Sequence, residues 1–153
     1  MLIREFAVGD EPHLAEVFRQ AIHQTAAADY TPEQLAAWAP APHDPDLWAK
    51  RMQGINPFVA ELDGVIVGYA DVQSDGHVDH FFVSPAAGRR GVGSALMHRI
   101  HEAARVKRLS RLYSEVSLTA RPFFEKFDFV VDEAQVVMVR GIPLENFRMS
   151  KSL

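Results

Sequence analysis

The sequence predicts one α/β domain over residues 1–153: a mixed central β-sheet flanked by helices, in the order β-α-α-β-β-β-α-β-α-β-β. Three observations predict it. Apolar residues follow helical spacing up to about residue 53, and strand patterns take over from Phe58. Asp63-Gly64 sits between two apolar runs, the strongest short hairpin signal. A glycine-rich segment, Gly88 to Gly93, then joins a strand pattern to a long helical one. A chain of 153 residues with 48% apolar and 24% charged residues is one globular domain's worth, which excludes disordered and fibrous classes.

Residues 2–8 read as a short first strand ended by Gly9-Asp10, and Asp10 is placed to cap a helix. Leu14, Val17, Phe18, Ala21, Ile22 and Thr25 give that helix its apolar side. Thr31-Pro32-Glu33-Gln34 is a capping box with proline at the first helical position, and the helix it starts stops at Pro40. Asp44 to Gln53 offers one more short helix. Strands follow at Phe58–Leu62, Val65–Val72 and His77–Val83, with Ser74-Asp75-Gly76 turning between the last two. After the glycines comes a long helix with Val92, Leu96, Ile100, Ala103, Ala104 and Val106 on one side. A strand near Arg111–Val116, a short helix near Thr119–Phe127, and strands at Phe129–Val139 and Ile142–Met149 close the order.

Composition removes several function classes. Sixteen Lys and Arg against twenty Asp and Glu leave a net charge of −4, so a global basic field for nucleic acid is absent. The chain has no cysteine, which excludes a disulfide framework, a Cys-ligated metal and a Cys nucleophile. The seven histidines show no metal-ligand spacing, and no metal is expected. Met1-Leu2-Ile3-Arg4-Glu5 is not a signal peptide, and no apolar run approaches a membrane span, so a cytoplasmic protein is expected. Charge is nevertheless uneven. From Gly88 to Arg111 seven basic residues oppose only Glu102, a local excess of +6 that suits an anionic ligand as well as a solvated helix face.

The glycine-rich turn carries the chemistry. Gly91 and Gly93 let backbone approach a ligand, and the unpaired amides of a helix N-terminus favour negative charge. Arg89 and Arg90 add positive charge there, and a pyrophosphate is the natural occupant. The spacing is neither that of a P-loop nor that of a dinucleotide fingerprint. A tight strand-to-helix turn with no ligand is the alternative.

The strand, the Gly88–Gly93 turn and the helix resemble motif A of the GNAT N-acetyltransferase superfamily, written Gln/Arg-x-x-Gly-x-Gly/Ala. Ala120 to Phe129 resembles its motif B, Ala-x-x-x-Tyr-Glu-Lys-x-Gly-Phe, and the element order matches along the chain. Tyr30 to Trp38 and the ending Gly141 to Met149 look like a bacterial subgroup of mostly unassigned substrate. The sequence departs from the family at three positions. Gly88 stands where Gln or Arg is usual, Ser117 where Asn contacts the pantetheine arm, and Asp128 where Gly follows the helix.

The resemblance implies an acetyl-CoA-dependent N-acetyltransferase that moves an acetyl group to a primary amine of a small molecule or peptide by direct attack on the thioester. Acetyl-CoA is then the donor, no nucleic acid or membrane is a partner, and a homodimer is an open possibility. Gly88, Arg89, Arg90, Gly91, Val92, Gly93, Ser94 and Ala95 would hold the diphosphate. The backbone of Phe82 and Val83 would face a splayed neighbouring strand, holding the pantetheine arm and offering the oxyanion an amide. Ser117 and Phe124 complete the cofactor set, Phe124 standing where relatives carry a tyrosine that serves as general acid. Tyr113 and Ser117 are the nearest replacements for that acid. Among bases, His80 is preferred by chemistry, with Asp79 beside it and Glu115 as competitor. Strand alternation would let at most one of Asp79 and His80 enter the site. Tyr30, Trp38 and Trp48 would wall the acceptor pocket, or else serve as ordinary core. Two other readings are a catalytically inactive CoA-binding sensor, suggested by Phe124, and a nucleotide-phosphate binder resting on the glycine turn alone.

Overall fold

The computed structural model describes all 153 residues. Its strands are β1 (Leu2–Glu5), β2 (Phe58–Leu62), β3 (Val65–Ala70), β4 (Phe81–Val83), β5 (Arg111–Ser117), β6 (Val130–Val139) and β7 (Ile142–Ser152). Its helices are α1 (Glu11–Gln20), α2 (Pro32–Trp38), α3 (Pro45–Ile55), α4 (Val92–Val106) and α5 (Arg121–Lys126). The strands form two sheets, one in the order β1-β2-β3-β4 and one in the order β5-β7-β6, with every ladder antiparallel.

Alternation along the strands divides the interior. Ala60 and Ala70 face a core built on α4, whose Leu96, Met97, Ile100 and Ala104 are fully buried. Val59 and Tyr69 face the opposite side, against Leu14 and Val17 of α1 and Met52 of α3. A buried Leu or Ile contributes about 1.5–3 kcal/mol, so α4 anchors the first sheet. Gly68 makes the close fit possible, since a Cβ there would lie 3.1 Å from the Val92 side chain. A third cluster ties α2 (Leu35) and Tyr30 to Leu144 of β7, with Val137 and Val139 of β6 packed against it.

The capping box at Thr31 forms as the sequence predicts. Asp10, by contrast, makes no side-chain cap. Its carboxylate takes the Arg4 guanidinium and the Ala7 N–H, so a tertiary ion pair outcompetes the cap. Three helices precede β2, the third at Pro45–Ile55 where a short helix is expected over Asp44–Gln53, one more than the element order counts. α1 runs on through a π turn at Ala21–Thr25, which keeps Ala21 and Ile22 buried while Thr25 is exposed. The first strand ends at Glu5 rather than residue 8, and β3 ends at Ala70 rather than Val72. Asp128 adopts φ +68, the left-handed conformation that the family's glycine would hold.

The largest difference is at the expected strand His77–Val83, where only Phe81–Val83 pairs with β3. Upstream, the chain bonds instead to β5. Tyr113 N–H donates to Gly76 C=O, Val78 N–H donates to Tyr113 C=O, and the Ser114 hydroxyl donates to Val78 C=O. This single parallel bridge, His77 to Tyr113, joins the two sheets, and β4 and β5 diverge beyond it. Gly76 sits at the pivot with φ +91, and a Cβ there would fall 2.0 Å from the Arg111 carbonyl oxygen. Gly76→Ala is therefore expected to cost about 3 kcal/mol in urea denaturation. Gly64→Ala, at φ +79 but facing open space, should cost only about 1 kcal/mol.

Candidate active site

Two features meet at the divergence of β4 and β5. The first is the turn into α4. Gly91 caps the helix at φ +78 with nothing within 4 Å of where a Cβ would stand, and the first intrahelical bond runs from Ala95 N–H to Gly91 C=O. The N–H groups of Val92, Gly93 and Ser94 are thereby left to a ligand. Gly93 packs under Phe123 of α5, 3.1 Å from where its Cβ would be. Gly88, Arg89 and Arg90 are exposed, and neither arginine has an ion-pair partner.

The second feature is the open side of β4. Asp71 N–H donates to His80 C=O and Ser84 N–H donates to Val67 C=O. Antiparallel bonding alternates by residue, so Phe82, paired with Tyr69, also spends its main-chain groups on β3. Phe81 and Val83 turn theirs toward the split. Of the two residues expected to face it, Val83 does so through its backbone and Phe82 does not; Phe81 takes that place. Such a cradle, with unpaired amides along β4, a turn opened by Gly91 and two unpaired guanidiniums, fits a long ligand carrying a diphosphate.

Beside the split lies a cavity of about 930 Å³, lined from α1, the α2–α3 connection, α3, β4, β5 and the β6–β7 hairpin. Tyr30, Trp38, Trp48, Asp79, His80, Phe82, Glu115 and Ser117 all reach it. Asp79 and His80 both do so, contrary to strict alternation, because regular strand starts only at Phe81. Tyr113 does not reach it. Its hydroxyl donates to Asp75 at 2.5 Å and its ring stacks on His77. The bond to Asp75 also raises its pKa, which makes it a poorer acid.

His80 is buried and held on three sides. Its N–H donates to Asp71 Oδ1 at 2.6 Å, its C=O accepts from Asp71 N–H, and its ring Nδ1 is 2.9 Å from the Tyr69 hydroxyl. That hydroxyl is fully buried and the His80 ring is its one partner, so the contact holds the ring in place. Burial, helped by the Arg51 charge, pushes the His80 pKa down to about 4. Burial likewise pushes Asp71 up to about 6, against the N–H of His80 and the amide of Gln73. Tyr69, Asp71 and Phe18 escape a reading by motif. The signal was a carboxylate closing the apolar run Val65–Val72.

Glu115 projects from β5 with Oε2 2.6 Å from His77 Nε2. Burial opposes the charge of His77, but the Glu115 carboxylate outweighs it and raises the pKa. Asp79 lies 3.6 Å from Arg51. The Ser117 hydroxyl accepts from Ala120 N–H and so caps the turn into α5. Phe124 is buried among Phe81, Phe123 and Phe129, an ordinary core position. The Tyr30 hydroxyl donates to Glu145 C=O and accepts from Leu118 N–H, so it is a tie between β5 and β7 that also faces the cavity.

Comparison with known proteins agrees with this architecture. The acetyltransferase (GNAT) domain family matches residues 26–152. The uncharacterized N-acetyltransferase YafP of Escherichia coli (strain K12) is 34% identical over 147 residues, spanning 96% of this chain and 93% of that protein. A GCN5-related N-acetyltransferase from Rhodopseudomonas palustris superposes with a TM-score of 0.94 at 33% identity, over 99% of this chain and 95% of that one. The PaiA N-acetyltransferase of Thermoplasma acidophilum, solved with coenzyme A, shares the fold at a TM-score of 0.71 and 18% identity, covering 99% and 98%. The chain belongs to the GNAT acetyltransferase family. It is thus an acyltransferase with acetyl-CoA as its donor, and nothing favours an inactive sensor. No helix is long and apolar enough to cross a membrane.

The buried pair gives a pH test. His80 holds a folded pKa of about 4 against 6.5 unfolded, so acidification from pH 6.5 to 4 favours the unfolded chain. Asp71 holds about 6 against 3.8, so acidification from pH 6 to 4 favours the folded chain. The two contributions oppose each other. Asp71→Asn keeps an acceptor for the His80 N–H but removes the compensating carboxylate. Between pH 6.5 and 4.5 this variant should lose on the order of 2 kcal/mol more stability than the unsubstituted protein, read from urea midpoints.

Proposed function

We propose that residues 1–153 act as one catalytic domain that acetylates a primary amine, with acetyl-CoA lying in the split between β4 and β5 and the amine in the adjoining cavity. The carrying observation is the divergence of β4 from β5 beside the N-terminus of α4, since it leaves main-chain donors pointing at one line of approach. Acetyl-CoA supplies an activated acetyl group at a thioester. In this reading the N–H groups of Val92, Gly93 and Ser94 bind the diphosphate, with Ser94 adding its hydroxyl and Arg89 and Arg90 their charge. Phe81 and Val83 pair with the pantetheine arm through their main chain, and a Val83 N–H steadies negative charge at the acetyl oxygen. Ser117 borders the arm from the end of β5, while Phe124 supports it only through its packing on Phe81.

The amine reaches the cavity mostly protonated, with a pKa near 10, and must lose a proton. His80 is a poor base, because burial resists its taking up a proton. Glu115 is the better base: its carboxylate lines the cavity and would receive the proton through water, with the His77 ring bonded to it. Asp79 is partly engaged by Arg51. No side-chain acid is needed opposite Phe124, since a thiolate with a conjugate pKa of about 8.5 leaves unaided more readily than an amine would. We place this reaction in the cytoplasm, on a small molecule or a peptide.

Acetyl-CoA at 100 times its dissociation constant should add about 2.7 kcal/mol and raise the melting midpoint by about 5–10 °C. ATP should not. Gly91→Val, forced into a left-handed conformation, should abolish the rise. For the base, Glu115→Gln should lower kcat by about 10²–10⁴-fold with acetyl-CoA binding intact, and should remove the acid limb of the pH–rate profile. An unchanged pH profile would move the role to Asp79.

A further inference from the structure

Resting on that reading of the cavity, we propose that the acceptor is a small amine built on a flat apolar ring, not a polypeptide. The cavity carries a continuous belt of aromatic rings. Tyr30 meets Trp38 at 5.5 Å between centroids, Trp38 meets Phe82 at 6.3 Å, Phe82 meets Phe18 at 5.0 Å, and Phe18 meets Trp48 at 4.9 Å. His80 closes the belt, 6.0 Å from Trp48. Trp38, Trp48, Phe18 and Phe82 are only half-buried, so each keeps ring surface open to the cavity they line.

The polar atoms of this belt are largely spent on the protein itself. Trp48 Nε1 donates to Glu11 C=O, and the Tyr30 hydroxyl is held between two main-chain groups. What these rings offer a ligand is apolar surface. Around them the lining holds five carboxylates and three arginines, an acidic surplus that suits an ammonium group. A cation seated over an aromatic face gains about 0.5–2 kcal/mol, and a stacked ring about 0.5–1.5 kcal/mol.

Shape argues against a polypeptide. The tip of the β6–β7 hairpin is fastened to the α2 region by Arg140 Nη1 to Ala37 C=O at 2.7 Å, Gln34 Nε2 to Pro143 C=O at 2.9 Å, and Tyr30 to Glu145. One wall of the cleft is thereby latched. An extended peptide advances about 3.3 Å per residue and needs an open trough, whereas a cavity of about 930 Å³ lies in the small-molecule range.

The only two tryptophans, Trp38 and Trp48, both line the cavity, so intrinsic fluorescence reports its occupancy directly. The experiment titrates the full chain, in the presence of coenzyme A, with 2-phenylethylamine, cyclohexylamine, spermidine and an alanine-initiated heptapeptide. The expected result is saturable quenching or an emission shift with 2-phenylethylamine. Cyclohexylamine should bind several-fold more weakly, spermidine and the peptide at least tenfold more weakly. Trp38→Ala, followed by Trp48 emission, should weaken 2-phenylethylamine about tenfold while the melting rise with acetyl-CoA persists. Equal or tighter binding of spermidine or the peptide overturns the proposal, as does absence of 2-phenylethylamine binding or indifference to Trp38→Ala. Failure of the acetyltransferase reading is distinct: it would appear as no melting rise with acetyl-CoA.

Discussion

The contact between Gly76 and the Arg111 carbonyl sets the geometry on which the site depends. With no Cβ at residue 76, the approach to β4 can lie against the start of β5 and form the bridge around His77 and Tyr113. Right-handed twist accumulates in each sheet, and the two strands share no further main-chain bond beyond Val78 and Ser114. The Phe81 and Val83 groups on the open side of β4 therefore lack a strand partner. An unpaired main-chain group is costly to bury, so such a split persists only where water or a ligand completes it. The same pivot leads the end of β4 into the α4 turn, which brings the free amides of that turn and the open strand together.

A buried polar trio stiffens the other side of β4. Beyond Ala70 the ladder to β3 is continued by Asp71, which serves His80 with both its main chain and its carboxylate. Gln73 holds the second oxygen and reaches Ile55 at the end of α3. The arrangement fixes His80 in a ring of aromatic neighbours. A histidine on the strand next to a transfer site invites a general-base assignment, yet burial holds the pKa of this one down to about 4 and so opposes its taking up a proton. Residue type proposes a role, and the surroundings decide it.

That distinction measures what the sequence could carry. Local codes were legible: the Thr31–Gln34 capping box, the Asp63-Gly64 hairpin, the apolar side of α4 and the glycine turn each need only neighbouring residues. The aromatic wall was legible too, since Tyr30, Trp38 and Trp48 all reach the cavity. What escaped depends on partners far along the chain. Asp10 has every property of a cap, but Arg4 claims it. His77 to His80 alternates like a strand, but β5 captures its first half and Asp71 its last residue. Tyr113 lies on the right strand, but Asp75 draws its hydroxyl away.

Phe124 shows how the family's chemistry can tolerate a departure. Relatives that this sequence resembles carry a tyrosine acid at the matching position, and its absence suggests impaired transfer. Here the ring is instead a packing element between Phe81 of β4 and Phe129, with Phe123 filling the space beside Gly93. The residue thus braces the strand whose open groups define the split. The difficult proton in this reaction is the one leaving the amine, whose pKa lies far above neutrality, whereas a thiolate near pKa 8.5 departs with little help. Selection for the base is therefore the stronger constraint. In the proposed reading Glu115, bonded to His77 at the edge of the cavity, meets it, and the acid's place is left to the core.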